Sequence, residues 1–117
     1  MTDELTDLAR RAVSCPGWRW LPGMRVEYAD KLGCRRHTRL VGGDPSAVLL
    51  DSDPLPDLSD PATVGCLLAL VREAWGDPAA HAAPDGDWHI YGDMPETEYG
   101  IGDTEAAALV AALEAAP

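Results

Sequence analysis

The stretch Asp60-Pro61-Ala62-Thr63-Val64-Gly65-Cys66-Leu67-Leu68-Ala69-Leu70-Val71-Arg72-Glu73-Ala74-Trp75-Gly76-Asp77-Pro78 decides the fold. Asp60 can accept from the unpaired N–H groups of a first helical turn. Pro61 follows where a missing N–H costs nothing. Val64, Leu67, Leu68, Val71 and Trp75 recur at helical spacing, and Leu70 and Cys66 widen that stripe, which predicts a helix buried on more than one side. Gly76 can take positive φ at the C-terminal cap, and Pro78 forbids resumption. Gly65 inside the helix costs roughly 1 kcal/mol against Ala, so a close approach by another backbone or a Trp ring is predicted there. The block reads as an interior rod against which the rest of the chain is laid.

Upstream, Asp3 to Val13 reads as an amphipathic helix with Thr2 as N-cap, carrying Leu5, Leu8, Ala9, Ala12 and Val13 on one stripe. Early acids and late arginines suit the helix dipole, and Asp7 to Arg11 reads as an i,i+4 pair. In Trp18-Arg19-Trp20-Leu21-Pro22-Gly23-Met24, alternation puts the two indoles on one side and Arg19 on the other. Pro22-Gly23 reads as a turn. Short strands are predicted at Arg25 to Tyr28, Cys34 to Val41 and Ala47 to Asp51, a spacing that favours an antiparallel meander. Asp51 to Asp60 reads as an extended linker and Asp77 to Asp87 as a loose region. Trp88 to Tyr91 reads as a strand, and Asp93 to Gly102 as a surface loop in which Tyr99 and Ile101 could add an edge strand. A last helix starts at Asp103 or Thr104 and turns Ala106, Leu109, Val110 and Leu113 inward. The expected fold is a single α+β domain over residues 1–117, in the order α-β-β-β-α-β-α. In it, a small antiparallel sheet of three to four strands is packed by a central helix and two terminal helices.

Composition narrows the class. An apolar fraction of 46% suits a globular core rather than disorder. No run approaches the length of a membrane span, and Asp3, Glu4 and Asp7 speak against a signal peptide, so no membrane association is expected. Three widely spaced cysteines suit a reducing cytoplasm better than a disulfide framework. Charge is sharply divided. Residues 1–40 hold eight of the nine Lys/Arg against five acids, whereas residues 41–117 hold Arg72 alone against fifteen acids, for a net of −11. Such a field repels long nucleic acid and favours a basic partner, a nucleic-acid-like occupant of a basic groove, or simple solvation.

Reactive constellations are sparse. Cys34-x-x-His37 is one short-spaced pair, with Cys15, Cys66, His81 and His89 scattered, and arginines around it oppose a cation. No metal and no cofactor is expected. Cys66 sits in the first turns of the central helix but among core residues, so it reads as inert. His89 alternates with Trp88 and Ile90 and reads as a sheet histidine. No nucleophile elbow, phosphate loop, dinucleotide fingerprint or zinc-protease helix occurs, and a non-enzyme is expected.

Binding has more to draw on. Trp18, Arg19, Trp20, Arg25, Arg35, Arg36, His37 and Arg39, with Lys31 and Tyr28, gather cations and rings in one meander. Guanidinium groups take phosphate bidentately and rings stack on bases, so these eight residues are the candidate ligand site for a small nucleotide. The alternative is that the indoles cover the core while the arginines neutralise the acidic half internally.

The Trp18–Met24 and Pro56–Pro78 segments resemble a group of small uncharacterised proteins encoded in phages and prophages of high-GC bacteria. There a W-R-W-x-P-G-M element and a D-P-A-T-x-G-C-L-L-A-L-V-R-E-A-W helix recur in that order. The resemblance covers about half of the chain and brings no activity and no catalytic residues. It implies a phage accessory protein acting in the bacterial cytoplasm. The function expected is non-enzymatic binding: host interaction or anti-defence, by capping a basic host-protein surface or by sequestering a nucleotide signal. The alternatives are a structural or morphogenesis-associated phage component that forms a homo-oligomer, or a small enzyme using Cys66 or a histidine.

Overall fold

The computed structural model describes residues 3–42, 54–94 and 96–117. It has the expected mixed α+β class, with three helices and six strands among the described residues: α1 (Asp3–Val13), β1 (Arg25–Ala29), β2 (Arg35–Arg39), β3 (Leu55–Pro56), α2 (Pro61–Trp75), β4 (His81–Asp85), β5 (Asp87–Tyr91), β6 (Glu98–Gly102) and α3 (Glu105–Ala115). The strands form two antiparallel sheets, ordered β2-β1-β3 and β4-β5-β6, rather than one.

The punctuation of α2 works as its residues dictate. The Asp60 carboxylate accepts from the Thr63 N–H at 3.0 Å. Gly76 is left-handed at φ 63°, its N–H reaching the Arg72 and Glu73 carbonyls. Leu67, Leu70 and Val71 are buried, while Val64, Leu68 and Trp75 are half-buried against the same core. No atom lies within 4 Å of a Cβ built on Gly65, so the close approach expected there is absent and that residue faces outward.

The tightest backbone packing falls elsewhere. Gly100 and Gly102 alternate onto the face of β6 turned to α3, and both lie directly beneath the Ala107–Ala112 backbone. Removing the Cβ from the strand and keeping only methyls on the helix lets the two main chains approach this closely. Six of the eleven α3 residues are consequently buried, and α3 packs against α1, α2 and all three strands of the second sheet. The alanine-rich C-terminal helix is thus as central as α2.

Three expectations are corrected. The segment read as loose holds β4, whose Pro84 is tolerated because β4 lies at the sheet edge. The segment read as a linker supplies β3, pairing Val26 with Pro56 and Glu27 with Leu55. Arg11 does not pair with Asp7; it bonds to Glu114 of α3 at 2.5 and 3.2 Å, tying the terminal helices together. The optional edge strand is real as β6, with Tyr99 as the extra residue at an irregularity opposite Ile90/Tyr91. The Tyr99 ring stacks on Trp75 at 4.2 Å, and its hydroxyl donates to Asp77. The strand expected at Ala47 to Asp51 and the Thr2 cap lie outside the described residues.

Candidate functional site

The β1–β2 hairpin carries most of the residues singled out for binding. Pairing of Arg25 with Arg39, Glu27 with His37 and Ala29 with Arg35 places Arg25, Arg35, His37 and Arg39 on one face. Val26, Thr38 and Arg36 lie on the other, where Val26 is fully buried.

Each of the five arginines meets a carboxylate. Arg35 donates to Glu27 at 2.8 Å, Arg36 to Asp30 at 3.0 Å, and Arg39 donates twice to Asp60, at 2.9 and 3.0 Å. Arg25 lies 3.5 Å from Asp57, and Arg19 donates to Glu73 at 2.6 Å. The guanidinium of Arg39, with help from Thr63, holds the Asp60 carboxyl far below its ordinary range. Arg36 and the Cys34 amide lower Asp30 likewise, and Arg19 lowers Glu73. Glu27 and Asp57 are buried beneath this face, and one oxygen of Glu27 finds no hydrogen-bond donor among the described residues.

The eight residues do not converge on one point. Arg39 meets the N-cap of α2 and Arg19 meets Glu73 near its other end, about 20 Å away along a helix of this rise. Trp18 and Trp20 pack edge-to-face at 5.3 Å on the core, and the Trp18 indole N–H is buried without an acceptor among the described residues. Arg25, His37, Thr38 and Arg39 line a small polar cavity of about 210 Å³.

Cys34 is exposed, and the other two thiols are shielded in whole or in part. Burial pushes Cys66 up, as does the nearby Asp60 charge, and Cys66 Sγ lies 3.7 Å from the Pro22 carbonyl. Burial raises Cys15 as well. His89 stacks on Tyr91 at 5.4 Å, and its Nε2 lies 3.2 Å from the Asp85 carbonyl. Among the described residues no group of three His, Cys, Asp or Glu side chains is placed to hold a metal ion. No helix of the described residues is long and apolar enough to cross a membrane.

Sequence reasoning registered the acidic surplus and the basic partner it favours, but singled out no acid as a binding residue. Glu4, Asp7, Asp85, Asp87, Asp103 and Glu105 form no ion pair with another described residue. The signal was present in the charge division of the chain, but it did not say which acids would be used internally. Comparison with family models, curated proteins and solved structures gives no match to this chain.

Proposed function

We propose that this protein is a non-enzymatic phage accessory protein that works in the bacterial cytoplasm by capping a basic surface of a host protein. One observation carries the reading: the arginines of the hairpin and of the Trp18–Met24 segment are engaged by internal carboxylates, whereas acids on α1, at the β4–β5 turn and before α3 have no ion-pair partner among the described residues. A phosphate ligand at the hairpin would have to displace carboxylates already bonded at 2.8 to 3.0 Å. A cationic protein surface displaces nothing. Exposed charge of one sign speeds encounter and rejects like-charged competitors, which suits a capping role.

The test is capture of the tagged protein from its host, with native mass spectrometry of the complex. A defined basic partner that dissociates as salt rises is the expected result; an oligomer of this chain alone would favour the scaffold reading instead.

The cavity lined by Arg25, His37, Thr38 and Arg39 supports a second reading, sequestration of a small nucleotide. Cyclic and ADP-ribose-type nucleotides would then raise the melting temperature of the wild type but not of Arg39→Ala. An unchanged melt across the panel excludes it.

A further inference from the structure

The N-terminal ends of all three helices meet around two adjoining grooves. The first, about 430 Å³, is lined by Leu5, Leu58, Pro61, Val64, Gly65 and Ala106 among others, and is mostly apolar. The second, about 470 Å³, shares Leu5 and Thr104 with the first and adds Leu8 and Ala107, rimmed by Glu4, Asp7 and Asp103. Glu105 stands on the wall of the first. Among the described residues the only cation lining either groove is Arg11, already bonded to Glu114.

Two opposing fields act here. Each helix N-terminus contributes about half a positive charge, and two of these ends are already capped, by Asp60 and Thr104. Four full carboxylates outweigh that sum, so the rim attracts cations. The floor asks for apolar side chains.

The lining residues belong to helices and to the turns that lead into them, and none belongs to a strand. An extended segment would find no sheet edge to pair with and would leave its own backbone unsatisfied against an apolar floor. A helix satisfies its backbone internally and offers apolar and charged faces at once.

We propose that these grooves dock a basic amphipathic helix of a partner protein, its apolar face against Leu5, Pro61 and Val64 and its lysines or arginines against Glu4, Asp7 and Asp103. This rests on the capping reading above and assigns it a place. It also gives Gly65 a purpose: an outward glycine with open space over it keeps the floor of the groove low.

The test uses the intact protein and a fluorescein-labelled synthetic helix of about five turns, with leucines at i, i+3, i+4, i+7 and lysines opposite. Anisotropy at about 0.05 M salt should show binding by the wild type, and a scrambled peptide of the same composition should bind at least about ten-fold more weakly. Gly65→Leu fills the groove at a helical position that gains propensity, so it should melt no lower than wild type yet lose at least about ten-fold in affinity. Asp7→Asn with Asp103→Asn should weaken binding at low salt. Asp93→Asn with Glu96→Gln, an equal charge change at the far end of the β5–β6 hairpin, should weaken it much less. Equal affinity of wild type and Gly65→Leu, with binding removed only by salt, overturns the groove and leaves the acidic-surface reading standing. Absence of any peptide binding at low salt overturns both.

Discussion

A Cβ built on Gly100 would lie 2.5 Å from the carbonyl oxygen of Ala108 and 2.6 Å from the amide nitrogen of Ala112. Both obstacles are backbone, which cannot rotate aside. The contact between β6 and α3 therefore exists only with glycine at this position. Gly100→Ala should destabilise by about 2 kcal/mol or more through overpacking, read as a lower urea midpoint with an unchanged slope. The same substitution at Gly65, where nothing lies within 4 Å, should raise stability by about 0.5–1 kcal/mol. Equal effects at the two sites would contradict the packing described.

Thr63 joins the first sheet to the cap of α2. Its hydroxyl accepts from the Arg25 N–H at 2.8 Å and donates to Asp60 at 2.8 Å, and the side chain is fully buried. Thr63→Val keeps the shape but strands the Arg25 N–H, at a cost of about 1–3 kcal/mol. Thr63→Ser should recover most of that loss in thermal melts, because it restores the hydroxyl.

Asp30, Asp60, Glu73, Asp77 and Glu114 all have carboxyls held below their ordinary values of 3.8 for Asp and 4.5 for Glu. A depressed folded-state value means that the unfolded chain takes up protons first as pH falls. The stabilisation is complete above the ordinary values and is lost progressively below them. Melting temperature should be flat above about pH 5.5 and fall below about pH 4.5, less steeply in Asp60→Asn. A profile that rises on acidification would mean that relief of the acidic self-repulsion dominates instead.

The stripe of α2 separates its leucines. Leu70 is 1% exposed and Leu68 is half-buried. Leu70→Ala should cost about 2–5 kcal/mol, and Leu68→Ala clearly less, as measured by denaturant unfolding. Reversal of that order would place the wrong side of the helix against the core.

Much of the second sheet was hidden in the sequence for identifiable reasons. His81-Ala82-Ala83-Pro84-Asp85 has no β-branched residue and contains a proline, so nothing local announces a strand. Its partner across Gly86 supplies the hydrogen bonds that define it. Glu98-Tyr99-Gly100-Ile101-Gly102 reads as a loop by its glycines, yet those glycines are there for the helix lying over them. The hairpin arginines were legible as a cluster. Their carboxylate partners were not, since Arg39 and Asp60 are 21 residues apart and Arg19 and Glu73 are 54 apart.

Caps and stripes act within a few residues, so the sequence alone determined the limits of α2 from Asp60 to Gly76, the buried stripe of α1 and the inward face of α3. Pairing, close approach and charge neutralisation act between segments distant in the chain. Only the tertiary structure decided that there are two sheets, that Arg11 reaches Glu114, and that among the described residues the acids around Leu5 and Thr104 form no ion pair while the hairpin arginines do.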